Sequence, residues 1–146
     1  MANGAPSKLT LRRYKRFGEG GAGLIWFEAC AITPESRANP RQLWIHEEIL
    51  PDFKKMVEMT REAAHQSMNH NPFLVLQLTH SGRYSRPVKK PKPIIAHHSA
   101  VLDPKHNLPP DYPLISDNEL EQLQNIYVQA AQLAKEAGFD AVDIKS

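Results

Sequence analysis

Residues 23–32 (Gly-Leu-Ile-Trp-Phe-Glu-Ala-Cys-Ala-Ile) and 73–78 (Phe-Leu-Val-Leu-Gln-Leu) carry apolar side chains at both parities. A strand with one wet face alternates. One that does not alternate is covered on both faces, as in a parallel sheet packed by helices. Residues 139–145 give a third, shorter strand pattern. Around these runs the apolar period becomes helical. Leu11, Tyr14 and Phe17 follow a cap at Ser7 or Thr10. Ile49, Phe53, Met56, Val57, Thr60 and Ala64 form the buried stripe of a helix starting between His46 and Asp52, with Pro51 fitting only its first turn. Leu120, Leu123, Tyr127, Ala130, Ala134 and Ala137 form a third stripe, introduced by the capping box of Ser116 and Glu119. Stops fall at residues 19–21, at residues 69–72 and at Gly138.

The predicted order is therefore α-β-α-β-α-β. Short links from each helix into the next strand imply parallel units. Two α/β architectures fit: a partial TIM (β/α)8 barrel, or a small open sheet. A glycine-rich stretch, residues 18–23, precedes a strand instead of following one. That disfavours a dinucleotide-binding Rossmann unit.

Gln77 changes the picture, because it puts an amide on the same face as Phe73 and Val75, at the carboxyl end of an apolar strand. Ligands sit at that end of the sheet in α/β proteins. Gln77 either contacts a ligand or is satisfied by its own loop. The carboxyl half of the first strand turns small, with Ala29, Cys30 and Ala31. Small side chains admit a flat ligand, or close helix packing. Cys30 has no basic neighbour in sequence and is no candidate nucleophile.

Residues 79–115 form a long irregular stretch rich in proline. Loops beyond about 15 residues are usually functional or disordered. Arg83, Arg86, Lys89, Lys90 and Lys92 make this one basic. It could hold an acidic or phosphorylated substrate, or simply be solvated. His97, His98, Asp103 and His106 invite a metal reading, but adjacent histidines rarely reach one ion and no cysteine completes a set, so no metal is expected. The basic positions of the first helix (Arg12, Arg13, Lys15, Arg16) read as a solvated face.

Composition adds bounds. The 146 residues suit one domain; the net charge of +2 is too small to argue for nucleic acid. The single cysteine rules out an internal disulfide framework and favours a reducing compartment. With no apolar leader core in residues 1–6 and no membrane-length apolar run, a cytoplasmic protein without membrane partners is expected.

Residues 19–25 (EGGAGLI), Glu28-Ala29, residues 77–83 (QLTHSGR) and residues 136–144 (EAGFDAVDI) together resemble collinear blocks of the old yellow enzyme family. These are flavin-dependent NAD(P)H oxidoreductases on a TIM barrel, including 2,4-dienoyl-CoA reductases and ene-reductases. The resemblance runs from about Ser7 onward. It implies FMN as cofactor, NAD(P)H as reductant, and an enone or enoyl substrate. It maps the glutamine that bonds the flavin's pyrimidine edge to Gln77. It maps the small residue lying against the isoalloxazine through its backbone to Ala29. It gives Arg83 no chemical role. By the same resemblance the chain runs from the first helix into the fourth strand of a barrel of about 250 residues. The whole chain, residues 1–146, is then expected to be a partial FMN-binding barrel domain, inactive alone and without a complete catalytic set. The family places a histidine, with a second histidine or asparagine a few residues on, where this sequence reads Lys145-Ser146. The alternative expectation is a non-catalytic piece that self-associates or assembles with a complementary chain.

Overall fold

The computed structural model describes residues 3–145. Helix α1 is Lys8–Glu19, strand β1 Leu24–Ala31, helix α2 Leu50–Met68, strand β2 Phe73–Thr79, the single turn α3 Leu102–Lys105, helix α4 Asp117–Glu136 and strand β3 Ala141–Lys145. The strands pair in parallel in the order β1-β2-β3. This is the expected α/β order, with each strand neighbouring the next in sequence.

One face of the sheet builds the core. Phe27, Leu76 and Val142 share a register level. Tyr14 of α1 stacks on Phe27 with ring centroids 3.8 Å apart, and Phe139 meets Phe27 edge-on at 4.9 Å. Phe53 and Met56 of α2 and Ala130 and Ala134 of α4 join the same cluster. The opposite face departs from the pattern predicted for these strands. Leu24, Trp26 and Phe73 are 54%, 52% and 48% exposed. The cause is topological: α1, α2 and α4 all pack on one face, and no described element lies over the other.

The helices follow their sequence signals closely. Ser7 caps α1 by accepting the Thr10 N–H at 3.1 Å. The buried stripe of α1 turns on Tyr14 and Gly18, not on Phe17. Gly18 is the point of closest approach to α2, since a Cβ there would lie 2.4 Å from the Thr60 carbonyl oxygen. Every predicted stripe residue of α2 from Phe53 to Ala64 is buried, and Asn69 ends the helix at φ 50°. The predicted capping box opens α4. At the amino end of the sheet Arg61 ties α2 to the strand entries. It donates to Asn71, to the carbonyls of Pro72 and Gly138, and to Asp140.

Strand β1 carries one residue more than its partner. Phe27 pairs with Leu76 and Cys30 with Leu78, so Glu28 and Ala29 together oppose Gln77. The Glu28 N–H at this bulge donates to the Tyr14 hydroxyl at 2.7 Å. Burial of the phenol pushes its pKa up to about 12.

The long loop after β2 is held at defined points. Arg83 donates to the Asp103 carboxylate and, at 2.8 Å, to the His97 carbonyl. His98 Nδ1 lies 2.8 Å from the other Asp103 oxygen. Of the four polar residues that suggested a metal, Asp103 thus engages Arg83 and His98, His97 contributes its backbone carbonyl, and the His106 ring lies edge-on to Tyr84 at 5.1 Å. Burial opposes the charge on Asp103, but hydrogen bonds from His98, the Ser99 backbone and Arg83 outweigh it and hold the carboxyl below its usual range.

Two tests follow from this packing. Tyr14→Phe keeps the ring and removes the acceptor of a part-buried amide, so it should cost about 1 kcal/mol in urea unfolding. Its phenol is the acid whose folded pKa exceeds the unfolded one, so its contribution holds below the unfolded value and fades as pH climbs toward 12. Asp103 has the opposite sign. Its lowered pKa stabilises the loop above the unfolded carboxylate value, about 4, and that stabilisation is lost as pH falls through the folded value. Amide protection in residues 86–115, taken relative to the intrinsic exchange rate at each pH, should therefore fall in acid, and in Asp103→Asn at neutral pH, while the sheet stays protected. Unchanged protection in that variant would rule out the anchor.

Candidate cofactor site at the carboxyl end of the sheet

The face left uncovered by the helices changes character along the strands. Leu24 pairs with Phe73, and then Trp26, Val75 and Ala141 form an apolar level. The next level is Ala29, Gln77 and Asp143, and the last pairs Thr79 with Lys145. Polar groups thus collect where the strands end.

The two residues singled out from sequence meet at one level. The bulge sets Ala29 opposite Gln77, so a side chain of one carbon lies beside the amide. The Ala29 carbonyl accepts from Gln42 Nε2 at 3.1 Å, which holds the β1 terminus against the following loop. Gln77 is half-buried. Of the two fates open for this amide, satisfaction by its own loop does not occur: its Nε2 donates to Asp143 Oδ2 on the neighbouring strand at 2.6 Å.

Above this level is an open cavity of about 500 Å³ lined by residues that include Ala29, Thr79, His80, Arg83 and Lys145. Ala29 lines it, whereas Gln77 lies one level deeper, outside its lining. His80 Nδ1 accepts the Gly82 N–H at 3.1 Å. Burial lowers the His80 pKa, against the opposing pull of Glu35. Both facts favour a neutral imidazole with its proton on Nε2. The Lys145 carbonyl accepts from the His80 N–H at 3.3 Å and from the Tyr127 hydroxyl at 3.0 Å, so α4, β2 and β3 converge at the mouth. Arg83 lines the same cavity and also anchors the following loop.

The site also contains residues that pattern reading passed over: Asp143, Thr79, His80, Lys145 and Gln42. Asp143 and Lys145 did leave a signal, as charges at alternate positions of an otherwise apolar strand. Gln42 left none, because its partner is a backbone carbonyl 13 residues away. Cys30 is fully buried and its pKa is raised by burial, which makes it a packing residue. Among the described residues no group of three metal-ligating side chains comes together, and no helix is long and apolar enough to cross a membrane.

Chemically, the row of Ala29, Gln77 and Asp143 offers a flat, nearly bare patch beside an amide and a carboxylate. A planar ring with hydrogen-bonding edges fits such a floor. The chain is similar to several known proteins. An NADPH dehydrogenase of Clostridium acetobutylicum is 29% identical over 126 residues, covering 86% of this chain and 34% of that protein. A morphinone reductase structure in complex with tetrahydroNAD is 25% identical with a TM-score of 0.71, covering 99% of this chain and 41% of the other. The old yellow enzyme homologue from Zymomonas mobilis is 23% identical with a TM-score of 0.74, covering 99% and 40%. The chain spans about a third of the length of the curated relatives it matches. Its parallel strands and flanking helices overlay one part of these larger proteins, as expected for a TIM-barrel segment. Residues 3–146 match the family described as NADH:flavin oxidoreductase / NADH oxidase, and the chain belongs to that family.

Proposed function

We propose that this chain forms part of the flavin-binding wall of an FMN-dependent NAD(P)H oxidoreductase acting on activated alkenes. The observation that carries this reading is the row of Ala29, Gln77 and Asp143 beneath the mouth cavity. Ala29 lets the isoalloxazine approach the sheet without a steric barrier, and Gln77 meets its pyrimidine edge. FMN, when bound, would supply the hydride chemistry between NAD(P)H and an activated alkene. The protein's part is to seat and orient the ring. Residues 3–145 supply a ring floor and a basic mouth from Arg83 and Lys145. A phosphate site of the kind barrels build near their seventh and eighth strands has no counterpart among the three described strands.

A second reading, assembly with a complementary chain, draws support from the uncovered face. Its half-exposed Leu24, Trp26 and Phe73 share a sheet whose β1 edge is bridged at Ala31 to Trp44 and whose β3 edge has no strand partner among the described residues. Such edges and patches promote association.

Two results are expected of the isolated chain. FMN fluorescence titration should give a dissociation constant well above the micromolar range, with negligible NAD(P)H-dependent alkene reduction. Light scattering should show self-association at high concentration. Adding a segment that carries the remainder of a related barrel should restore flavin binding, and Gln77→Ala should then weaken it about tenfold, the value of one good hydrogen bond. Assembly with such a segment that never takes up flavin would defeat the flavin reading. A monodisperse monomer at high concentration would defeat the assembly reading.

A further inference from the structure

We infer that Asp143 is a positioning residue that fixes the orientation of the Gln77 amide, so that its carbonyl oxygen is presented to the bound ring. This rests on the flavin reading above, which already sets the pyrimidine edge at Gln77, and adds the residue that orients the amide. An amide has two faces, an acceptor oxygen and a donor NH2, and rotation exchanges them. An ionised carboxylate only accepts. With the two side chains 2.6 Å apart, the NH2 must face Asp143, because the flipped amide would set oxygen against oxygen.

The backbone enforces this contact. Gln77 and Asp143 are register partners on adjacent parallel strands, so their side chains leave the sheet side by side. Each is half-buried, which limits competition from water. Among the described residues no group donates to Gln77 Oε1, although the Nε2 side is engaged. An amide held this way presents a fixed acceptor. The ligand edge opposite it must carry an N–H. In a flavin that group is the imide N–H of the pyrimidine ring, and an N3-alkylated flavin lacks it. Asp143 thereby sets which chemical edge the site reads without itself needing to touch the ring.

The test uses the chain itself, ¹⁵N-labelled, with the Gln77 side-chain resonances assigned by their loss in Gln77→Leu. In the ligand-free chain, Asp143→Asn and Asp143→Ala should both shift the Gln77 NH2 signals and speed their exchange. Titration to millimolar FMN and N3-methyl-FMN then compares ligands at the same residue. The unmodified chain should prefer FMN about tenfold, and the preference should fall to about threefold or less in both variants. A purely structural role for Asp143 would weaken both ligands equally and leave their ratio unchanged, which would overturn the inference. Unchanged Gln77 signals in the ligand-free variants, or equal binding of the two flavins, would overturn it while leaving the flavin reading intact. No response of Gln77 to either flavin would overturn the inference, while the flavin reading stands or falls on flavin uptake with the complementary segment.

Discussion

The hydrogen bond from the Glu28 N–H to the Tyr14 hydroxyl fixes the side-chain parity of β1. A parallel ladder that gains one residue frees an amide, and even a partly buried amide without a partner is costly. Tyr14 resolves this from α1, stacking on Phe27 while its hydroxyl accepts the freed N–H. The consequence is a change of parity. Without the extra residue Glu28 would pair with Gln77, and Ala29 would turn toward the helices. With it, Ala29 lies beside Gln77, and Cys30 returns to the buried level of Leu78. A one-residue slip exchanges the two faces of a strand. Here the slip exchanges a carboxylate for a methyl group at the floor of the mouth. Glu28 is turned instead toward Arg13, at 2.7 Å.

What could be read along the chain was what neighbouring residues determine. The stripe from Ile49 to Ala64, the Ser116–Glu119 box and the stop at Gly138 all rest on spacing within a few residues, and each appears as expected. The parallel order followed from alternating elements, and Gln77 stood out as an amide in an apolar run. What could not be read depends on partners brought together by folding. The bulge is invisible in the string Phe27-Glu28-Ala29-Cys30, because it exists only relative to β2. The Gln77–Asp143 pair spans 66 residues. Arg83 gained no role from its motif, yet its contacts with Asp103 and His97 fasten the loop that the proline content marked as irregular. Phe17 looked like core by period, but Gly18 holds the interface because α1 and α2 touch through backbone there.

The apolar pattern at both parities also carries information that the described residues only half express. Ile25, Phe27, Leu74 and Leu76 are buried beneath helices, while Leu24, Trp26 and Phe73 are half-exposed. An open sheet with one wet face would place polar side chains at those positions. Tryptophan, leucine and phenylalanine there are the composition of a barrel interior, matching a chain that spans a third of its relatives' length.

The two faces of the sheet finally argue for where the chemistry lies. On the helix side the levels are apolar throughout: Ile25 with Leu74, then Phe27, Leu76 and Val142, then Cys30, Leu78 and Ile144. On the other side apolar levels give way to Gln77 and Asp143, then Thr79 and Lys145. If the polar residues only marked strands running out into solvent, both faces would become polar together. They do not. Polarity is confined to one face and one end, where partial burial makes an amide and a carboxylate costly unless they are engaged. Their mutual bond offsets part of that cost and still leaves the amide oxygen without a donor among the described residues. The amino end of the same sheet is clamped by Arg61 onto backbone carbonyls and Asp140, which serves cohesion. The division matches the α/β rule that one end of the strands stabilises and the other binds.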